Sequence, residues 1–422
     1  MIKAITGTKD ILPFDISKWR YLENVIREKM QSFNYKEIRT PVFEETALFS
    51  RGIGEATDIV SKEMYTFLDK GGTSLTLRPE MTASVGRAFI EHSLSAKQNL
   101  NKLFYIAPMF RQERPQAGRL RQFHQFGAEA LGSDSPALDS EMIILAFDIL
   151  KALGLNGLTV KVNSLGVPQS REAYKNVLKE YLSDKLNLLS EESRKRFYTN
   201  ILRIFDSKEE NDQEIMKNAP LLIDYLDQES LQHFEAVKKL LSCASVPFEV
   251  DPRLVRGLDY YTKTTFEIIS GAVGSQSALC GGGRYDLLIE QLGGKPAPGV
   301  GFAAGIERIL LACENENSLT IDGESLDLYI IRLDKSLQDK TFDLGLSFRR
   351  KNINTEFDYL DRSVKAQMRE ANRLNARYVI ILGGEEYLNG QLILKNMSDG
   401  VQENISLEQL DYICSKLSKK GE

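Results

Sequence analysis

Between Val167 and Ser245 the chain is charged, helical in its spacing and almost free of glycine, with strand-like texture on both sides. No other feature limits the fold as much. Runs such as "SREAYKNVLKEYLSDKLNLLSEESRKRFYTNILRIF" and "ESLQHFEAVKKLLS" read as helices. They form a helical insertion, at about residues 168–246, inside a mixed domain that resumes with "FEVDPRLVRGLDYYTKTTFEIIS". Ahead of the insertion, "SKWRYLENVIREKMQSF" reads as a helix. "YKEIRTPVFEE" reads as a strand interrupted by Pro41, and "TSLTLRPEMTASVGRAFIEH" as a strand turning at Arg78-Pro79 into a helix. "KLFYIAPMFRQE" and "RLRQFHQFGAEALG" pair as a hairpin around a polar loop, and "LTVKVNSLG" is a further strand.

A polar run without apolar period, "NENSLTIDGESL", reads as a linker. Beyond it, "LDLYIIRL", "KTFDLGLSFRRK", "TEFDYL", "SVKAQMREANRLNA" and "RYVIILGG" alternate strand and helix in a βαβαβ rhythm. That rhythm predicts a small parallel α/β domain over residues 326–422, with the mixed domain over 1–325.

The totals exclude several classes. A net charge of -5 argues against coating nucleic acid through bulk charge, though it allows a local basic face. The four cysteines are scattered without a CxxC pair, which fits a reducing compartment, and with only three histidines they offer no side-chain metal centre. The N-terminus lacks signal-peptide texture and no apolar run has the length of a membrane span, so the expected place is the cytoplasm.

Against that acidic balance, residues 109–129 carry Arg111, Arg114, Arg119 and Arg121. On a strand, Arg121, Phe123, Gln125, Gly127 and Glu129 share one face. A cation, an amide and a carboxylate with a glycine among them describe the floor of a polar pocket, with Gly127 leaving room for a ligand. An exposed hairpin with solvated charges is the plainer reading of an arginine cluster alone. In "VRGLDYYTKTTFEI", Arg256 stands beside a glycine, and Tyr260 and Tyr261 are expected on opposite faces of a strand. "CGGGRYD", ending in Tyr285 and Asp286, is expected as a permissive turn. "GVGFAAGIERIL" reads as a strand with a glycine opening at Gly305 and a helix presenting Arg308. In "LRPEMTAS", Glu80 and Thr82 either cap a helix or bind an ammonium group. Together these stretches describe one pocket, with separated arginines (Arg111, Arg256, Arg308) for a polyphosphate and Glu80, Gln125 and Glu129 for a small zwitterion.

These motifs resemble class II aminoacyl-tRNA synthetases, specifically the histidyl-tRNA synthetase family. "YKEIRTPVFEE", "FRQERPQAGRLRQFHQFGAE" and "GVGFAAGIERIL" are similar to the three class motifs. "RGLDYYT" and "CGGGRYD" resemble the stretches peculiar to the histidine enzymes, and the likeness covers nearly the whole chain. The resemblance implies an α+β catalytic domain with a mixed, mainly antiparallel sheet and a C-terminal α/β anticodon-binding domain. It implies ATP and Mg²⁺, L-histidine and histidine tRNA as ligands, and a homodimer.

It also implies residue roles. Arg111 and Arg256 are catalytic, touching the α-phosphate and the histidine carboxylate. Glu80, Thr82 and Gln125 hold the α-amino group, with Met81 in the same stretch. Glu129, Tyr260, Tyr261 and Tyr285 read the imidazole. Glu113, Arg121, Gly305 and Arg308 join Arg111 and Arg256 around ATP. In the C-terminal domain Lys365, Arg369 and Arg373 form a stripe that is either a solvated helix face or a phosphate contact. A non-catalytic synthetase-like regulatory subunit is the main rival, but such paralogues usually lose the anticodon domain and the "RGLDYYT" arginine. Class II enzymes for threonine, proline or glycine lack "RGLDYYT" together with "CGGGRYD".

Overall fold

The computed structural model describes residues 1–54, 57–116, 118–255, 260–276, 278–319 and 325–418. Arg256 and Gly257, expected in the pocket, lie outside the described residues. The chain divides into two compact units, Met1–Thr320 and Ile321–Glu422.

The first unit is built on strands β1 (Lys36–Glu37), β2 (Phe43–Glu45), β3 (Tyr65–Leu68), β4 (Ser74–Leu77), β5 (Asn101–Phe110), β6 (Gln122–Leu131), β7 (Leu158–Ser164), β8 (Phe248–Val250), β9 (Thr262–Ser270), β10 (Ala278–Arg284) and β11 (Gly299–Gly305). Eight of them form one sheet in the order β1-β5-β6-β11-β10-β9-β7-β8. Its interior pairs are antiparallel and only the two edge pairs, β1–β5 and β7–β8, are parallel. The interrupted strand at Pro41 therefore serves two sheets, because β2 joins β4 and β3 in a separate three-stranded sheet.

Side-chain alternation sorts the two faces of the large sheet. Phe126, Ala128 and Ala130 of β6 enter a core with the helices Pro13–Ser32, Pro136–Ala152 and Ile306–Glu316. Tyr105, Ala107 and Met109 of β5 face the other way, into a core shared with the helix Thr82–Glu91 and the inserted helices. The last of the segment's helices, Gln228–Cys243, sends Phe234, Val237 and Leu241 into the first core, so it belongs to the sheet's helical layer. Helical texture alone does not distinguish it from its neighbours in sequence. Within the insertion, the buried Asp212 carboxylate accepts the hydroxyls of Ser190, Ser193 and Ser207 at 2.7, 2.5 and 2.6 Å.

"CGGGRYD" is not a turn. It is β10, between β11 and β9. A side chain at Gly282 would meet Phe302 and the Gly301 carbonyl, so the glycines let central strands close up. Arg284, at the end of β10, is fully buried with Asp139 of the helix Pro136–Ala152. Its Nε donates to Asp139 at 3.0 Å and Nη2 also reaches that carboxylate. Nη1 donates to Ser133 O at 3.0 Å and Asp286 at 2.9 Å, and Nη2 to Ser135 O at 3.3 Å. His233 of the last helix sits 2.7 Å from the second Asp139 oxygen.

The second unit has β12 (Leu328–Arg332), β13 (Thr355–Phe357), β14 (Tyr378–Leu382), β15 (Gln391–Asn396) and β16 (Gln402–Ser406), in the order β13-β12-β14-β15-β16. The first three are parallel, as the rhythm predicts. The sheet is not wholly parallel, because β15 and β16 add an antiparallel hairpin around Asp399-Gly400, a turn signal the βαβαβ reading passes over.

Removing one partner from a buried ion pair strands the other charge. Arg284→Met is therefore expected to lower the stability of the first unit by about 3–5 kcal/mol. Trp19, the chain's single tryptophan, lies in that unit, so denaturant titration followed by its emission reads the change. A loss below about 1 kcal/mol refutes the role given to the pair.

Candidate active site

A cavity of about 530 Å³ opens on the face of the sheet opposite the first core, over β6, β10 and β11. Its lining joins the expected Glu80, Thr82, Arg111, Glu113, Gln125, Tyr260, Tyr261, Tyr285, Gly305 and Arg308. The two ends differ in chemistry.

One end is cationic. Arg111 is fixed by Nε donating to Pro79 O at 2.9 Å, and its guanidinium lies 5.3 Å from the Phe123 ring centre. Arg308, on the first turn of the helix Ile306–Glu316, donates to Ala278 O at 2.8 Å and to Gly118 O at 3.4 Å. Arg119 joins them, 3.3 Å from Glu113. Burial first, and then the charge of Arg119 and Arg111, pulls the Arg308 guanidinium below its ordinary value, against Glu113 and Glu267. Cations that crowd one another in this way favour an anion between them.

The other end is carboxylic and phenolic. Glu129 is 1% exposed just beneath the lining. Thr82 Oγ1 donates to its Oε1 at 2.8 Å, Tyr105 reaches the same oxygen at 3.4 Å, and the Tyr285 hydroxyl donates to Oε2. Burial outweighs these bonds and pushes the carboxyl up to about 8. Two glycines make the arrangement possible. Gly301 pairs with Glu129 across β6–β11, and a side chain there would occupy the carboxylate's own place. Gly127 pairs with Tyr105, and its bare Cα admits the Tyr105 hydroxyl. The room expected at Gly127 for a ligand is thus taken by a phenol that supports Glu129.

Between the ends, Gln125 lines the cavity, and its Oε1 is buried without a hydrogen-bond partner. Glu80 accepts the backbone N–H groups of Thr82 at 2.7 Å and Ala83 at 2.9 Å, so it caps the helix Thr82–Glu91 and also lines the cavity. The capping reading holds.

Three expectations are corrected. Tyr260 and Tyr261 are not on opposite faces. They precede β9, with ring centres 4.7 Å apart, and both line the cavity. Met81 is 1% exposed in the core beneath, taking a hydrogen bond from Thr40, and does not line the cavity. Arg121 precedes β6 with its stem against Gly7, whose carbonyl accepts the Arg121 N–H at 2.6 Å, and it too is outside the lining. Sequence reasoning left Arg119 without a role, although it stands in the same arginine run. It had no signal for Asp206 and Lys208, which reach the lining from the insertion.

Residues 7–309 match the sequence model described as Histidyl-tRNA synthetase, and residues 327–417 the one described as Anticodon binding domain. The chain belongs to the histidyl-tRNA synthetase family. The histidine--tRNA ligase of Halothermothrix orenii is 50% identical over 416 residues, 99% of each chain. That of Geobacillus kaustophilus is 47% identical, over 99% of this chain and 98% of the other. The crystal structure of apo S. aureus histidyl-tRNA synthetase is 40% identical and superposes with a TM-score of 0.82, covering 98% of this chain and 99% of that one. Histidine activation and tRNA charging are the reactions of the family. Among the described residues, no helix is long and apolar enough to cross a membrane.

The Glu129 carboxyl gives a pH test. Its ordinary value is 4.5 and its folded value is about 8, so ionising it opposes folding. The penalty is absent below about pH 4.5, grows by up to about 1.4 kcal/mol per pH unit, and is complete above pH 8. Glu129→Gln never ionises. Its stability relative to the parent is expected to rise steadily from pH 5 to pH 8 in denaturant titrations. A difference that stays flat across that window refutes the buried neutral carboxyl.

Proposed function

We propose that this cavity activates L-histidine with ATP and then passes the histidyl group to the 3′ end of histidine tRNA. The supporting observation is the polarity of one cavity, with crowded arginines at one end and a buried carboxyl among phenols at the other. We assign catalysis to residues 1–325, with the insertion within residues 168–246 ahead of the helix Gln228–Cys243, and anticodon recognition to residues 326–422.

ATP lies at the arginine end. Arg308 and Arg119 hold the triphosphate, and Glu113 and Gly305 stand beside it. Arg111 bridges the α-phosphate and the histidine carboxylate with its planar fork. Arg256 adds charge at the α-phosphate. Glu80, Thr82 and Gln125 take the α-amino group, and the unpartnered Gln125 oxygen is an acceptor for that ammonium. Glu129, Tyr260, Tyr261 and Tyr285 read the imidazole. A histidine carboxylate oxygen bonds to the α-phosphorus as the bond to the β-phosphate oxygen breaks, releasing pyrophosphate. A ribose hydroxyl of the tRNA then attacks the carbonyl and AMP leaves. No side chain acts as a nucleophile, and catalysis rests on positioning and charge.

Mg²⁺ fits here as a companion of the triphosphate. Among the described residues no three side chains group to cage a metal, and Glu113 and Glu267 line the cavity. When bound, the ion would neutralise phosphate charge. The four cysteines are free thiols, which supports the cytoplasm as the working compartment. A homodimer completes the proposal. The exposed Phe43, Phe67 and Leu68 of the small sheet are surface that a partner would cover.

Amino-acid-dependent ATP–pyrophosphate exchange tests the reaction. Histidine alone among the twenty amino acids is expected to support it. Arg111→Ala or Arg256→Ala is expected to lower the rate by about 10²–10³-fold. No exchange with any amino acid in folded protein overturns the assignment.

Proton linkage tests the imidazole pocket. Glu129 near 8 and a free imidazole near 6.5 share one proton between those values. Below about pH 6.5 both carry protons and binding expels one. Above about pH 8 neither does, and binding takes one up. Histidine affinity is therefore expected to be greatest between these values and to fall on both sides, as titration calorimetry in buffers of different ionisation enthalpy will read. Monotonic affinity refutes the shared proton.

A further inference from the structure

At the carboxyl ends of the parallel strands of the second unit, a network of mostly buried polar groups holds two apolar side chains out in water. Chain order runs outward from β12 to β13 and returns across it to β14, which is the crevice where open α/β sheets bind ligands. The loop after β13 spans residues 358–362. Asp358 is buried, and its carboxylate accepts the backbone N–H of Leu360 at 3.2 Å and of Arg362 at 2.8 Å, and the Arg362 side chain as well. Arg332, 5% exposed at the end of β12, donates to Asp358 O at 2.7 Å and to Asp361 Oδ1 at 2.5 Å. Gln367, 2% exposed, bonds the Arg332 N–H at 3.1 Å and donates to the Arg362 carbonyl at 2.9 Å. Asp361 takes a left-handed φ of 52°, costly outside glycine and fixed here by Arg332.

The loop so held presents Tyr359 at 61% exposure and Leu360 at 72%. The Tyr359 ring rests on Phe357, with centres 4.6 Å apart, and its hydroxyl accepts from Arg349 at 3.1 Å. One ring face is backed and the other is open. Arg349 is also paired with Glu356, and in the same loop Arg362 is paired with Asp358 and Asp361 with the exposed Lys335. An exposed aromatic ring backed on one side, with an arginine at its hydroxyl, suits an unstacked base whose phosphate reaches that arginine.

We propose that Tyr359 is a stacking platform for an unpaired base of the tRNA anticodon loop. Leu360 extends its edge, and Arg332, Asp358 and Gln367 position it. The proposal rests on the reading of this chain as a tRNA-charging enzyme.

The test uses the full chain and transcripts of histidine tRNA. Tyr359→Ala is expected to lower kcat/KM for tRNA by about 5- to 100-fold, mostly through KM. Tyr359→Phe keeps the ring and is expected to stay close to the parent. Histidine-dependent pyrophosphate exchange is expected to be unchanged in both. An acceptor-stem minihelix without an anticodon arm is expected to be charged equally by parent and variants. Three results overturn the platform: full-length tRNA charged normally by Tyr359→Ala, a loss that persists on the minihelix, or equal losses in Tyr359→Ala and Tyr359→Phe. A changed oligomeric state with normal charging also overturns it, assigning the surface to a second copy of the chain. Absence of histidine-dependent exchange in the parent overturns the proposed function itself, and this proposal with it.

Discussion

The buried pair of Arg284 and Asp139 is the constraint on which the first unit depends. Every N–H of the guanidinium has an acceptor, from Asp139, Asp286 and the carbonyls of Ser133 and Ser135. Burial would raise the Asp139 carboxyl, but the His233 hydrogen bond and the Arg284 charge outweigh it and hold the group below its ordinary value. One cluster thereby fixes three elements: the end of β10, the helix Pro136–Ala152 and the helix Gln228–Cys243. Tyr285 follows Arg284 directly, so the anchoring that closes the core also aims the phenol at Glu129. Fold and specificity meet in two consecutive residues.

The catalytic cavity separates charge along its length. Its arginines crowd one another at one end, and burial raises the Glu129 carboxyl at the other. Each end is a poor place to be empty and a good place to be filled, which is the sense in which such a pocket is preorganised. Gln125, with its unpartnered oxygen between the ends, repeats the pattern on a smaller scale.

Much of this was legible in the chain. The period of two across residues 121–129 put Phe123, Gln125 and Glu129 on one face because a strand leaves no other choice. The strand-to-helix turns at Arg78-Pro79 and Gly305 placed Glu80, Thr82 and Arg308. What escaped depends on distant partners. Tyr105 reads as an ordinary core aromatic until Gly127 lies opposite it. The glycines of "CGGGRYD" read as a turn until β9 and β11 flank them. Tyr260 and Tyr261 share a wall because β9 begins only at Thr262, a boundary that local alternation does not mark. Arg121 was one position too early to stay on the pocket side. Lys208 and Asp206 arrive from the insertion, and no local pattern connects them to the cavity.

The neutrality of Glu129 has a consequence for what the pocket turns away. A fixed anion at that depth would attract every cationic amino acid, arginine and lysine among them, and would have to reject them afterwards by shape. A carboxyl that keeps its proton at neutral pH carries no such charge and has one hydrogen to give, while Thr82, Tyr105 and Tyr285 already approach its oxygens. Under the proposed function, that hydrogen suits a ring nitrogen with a free lone pair. On that proposal, discrimination at this depth is a matter of matching donors and acceptors rather than of attraction to a fixed charge.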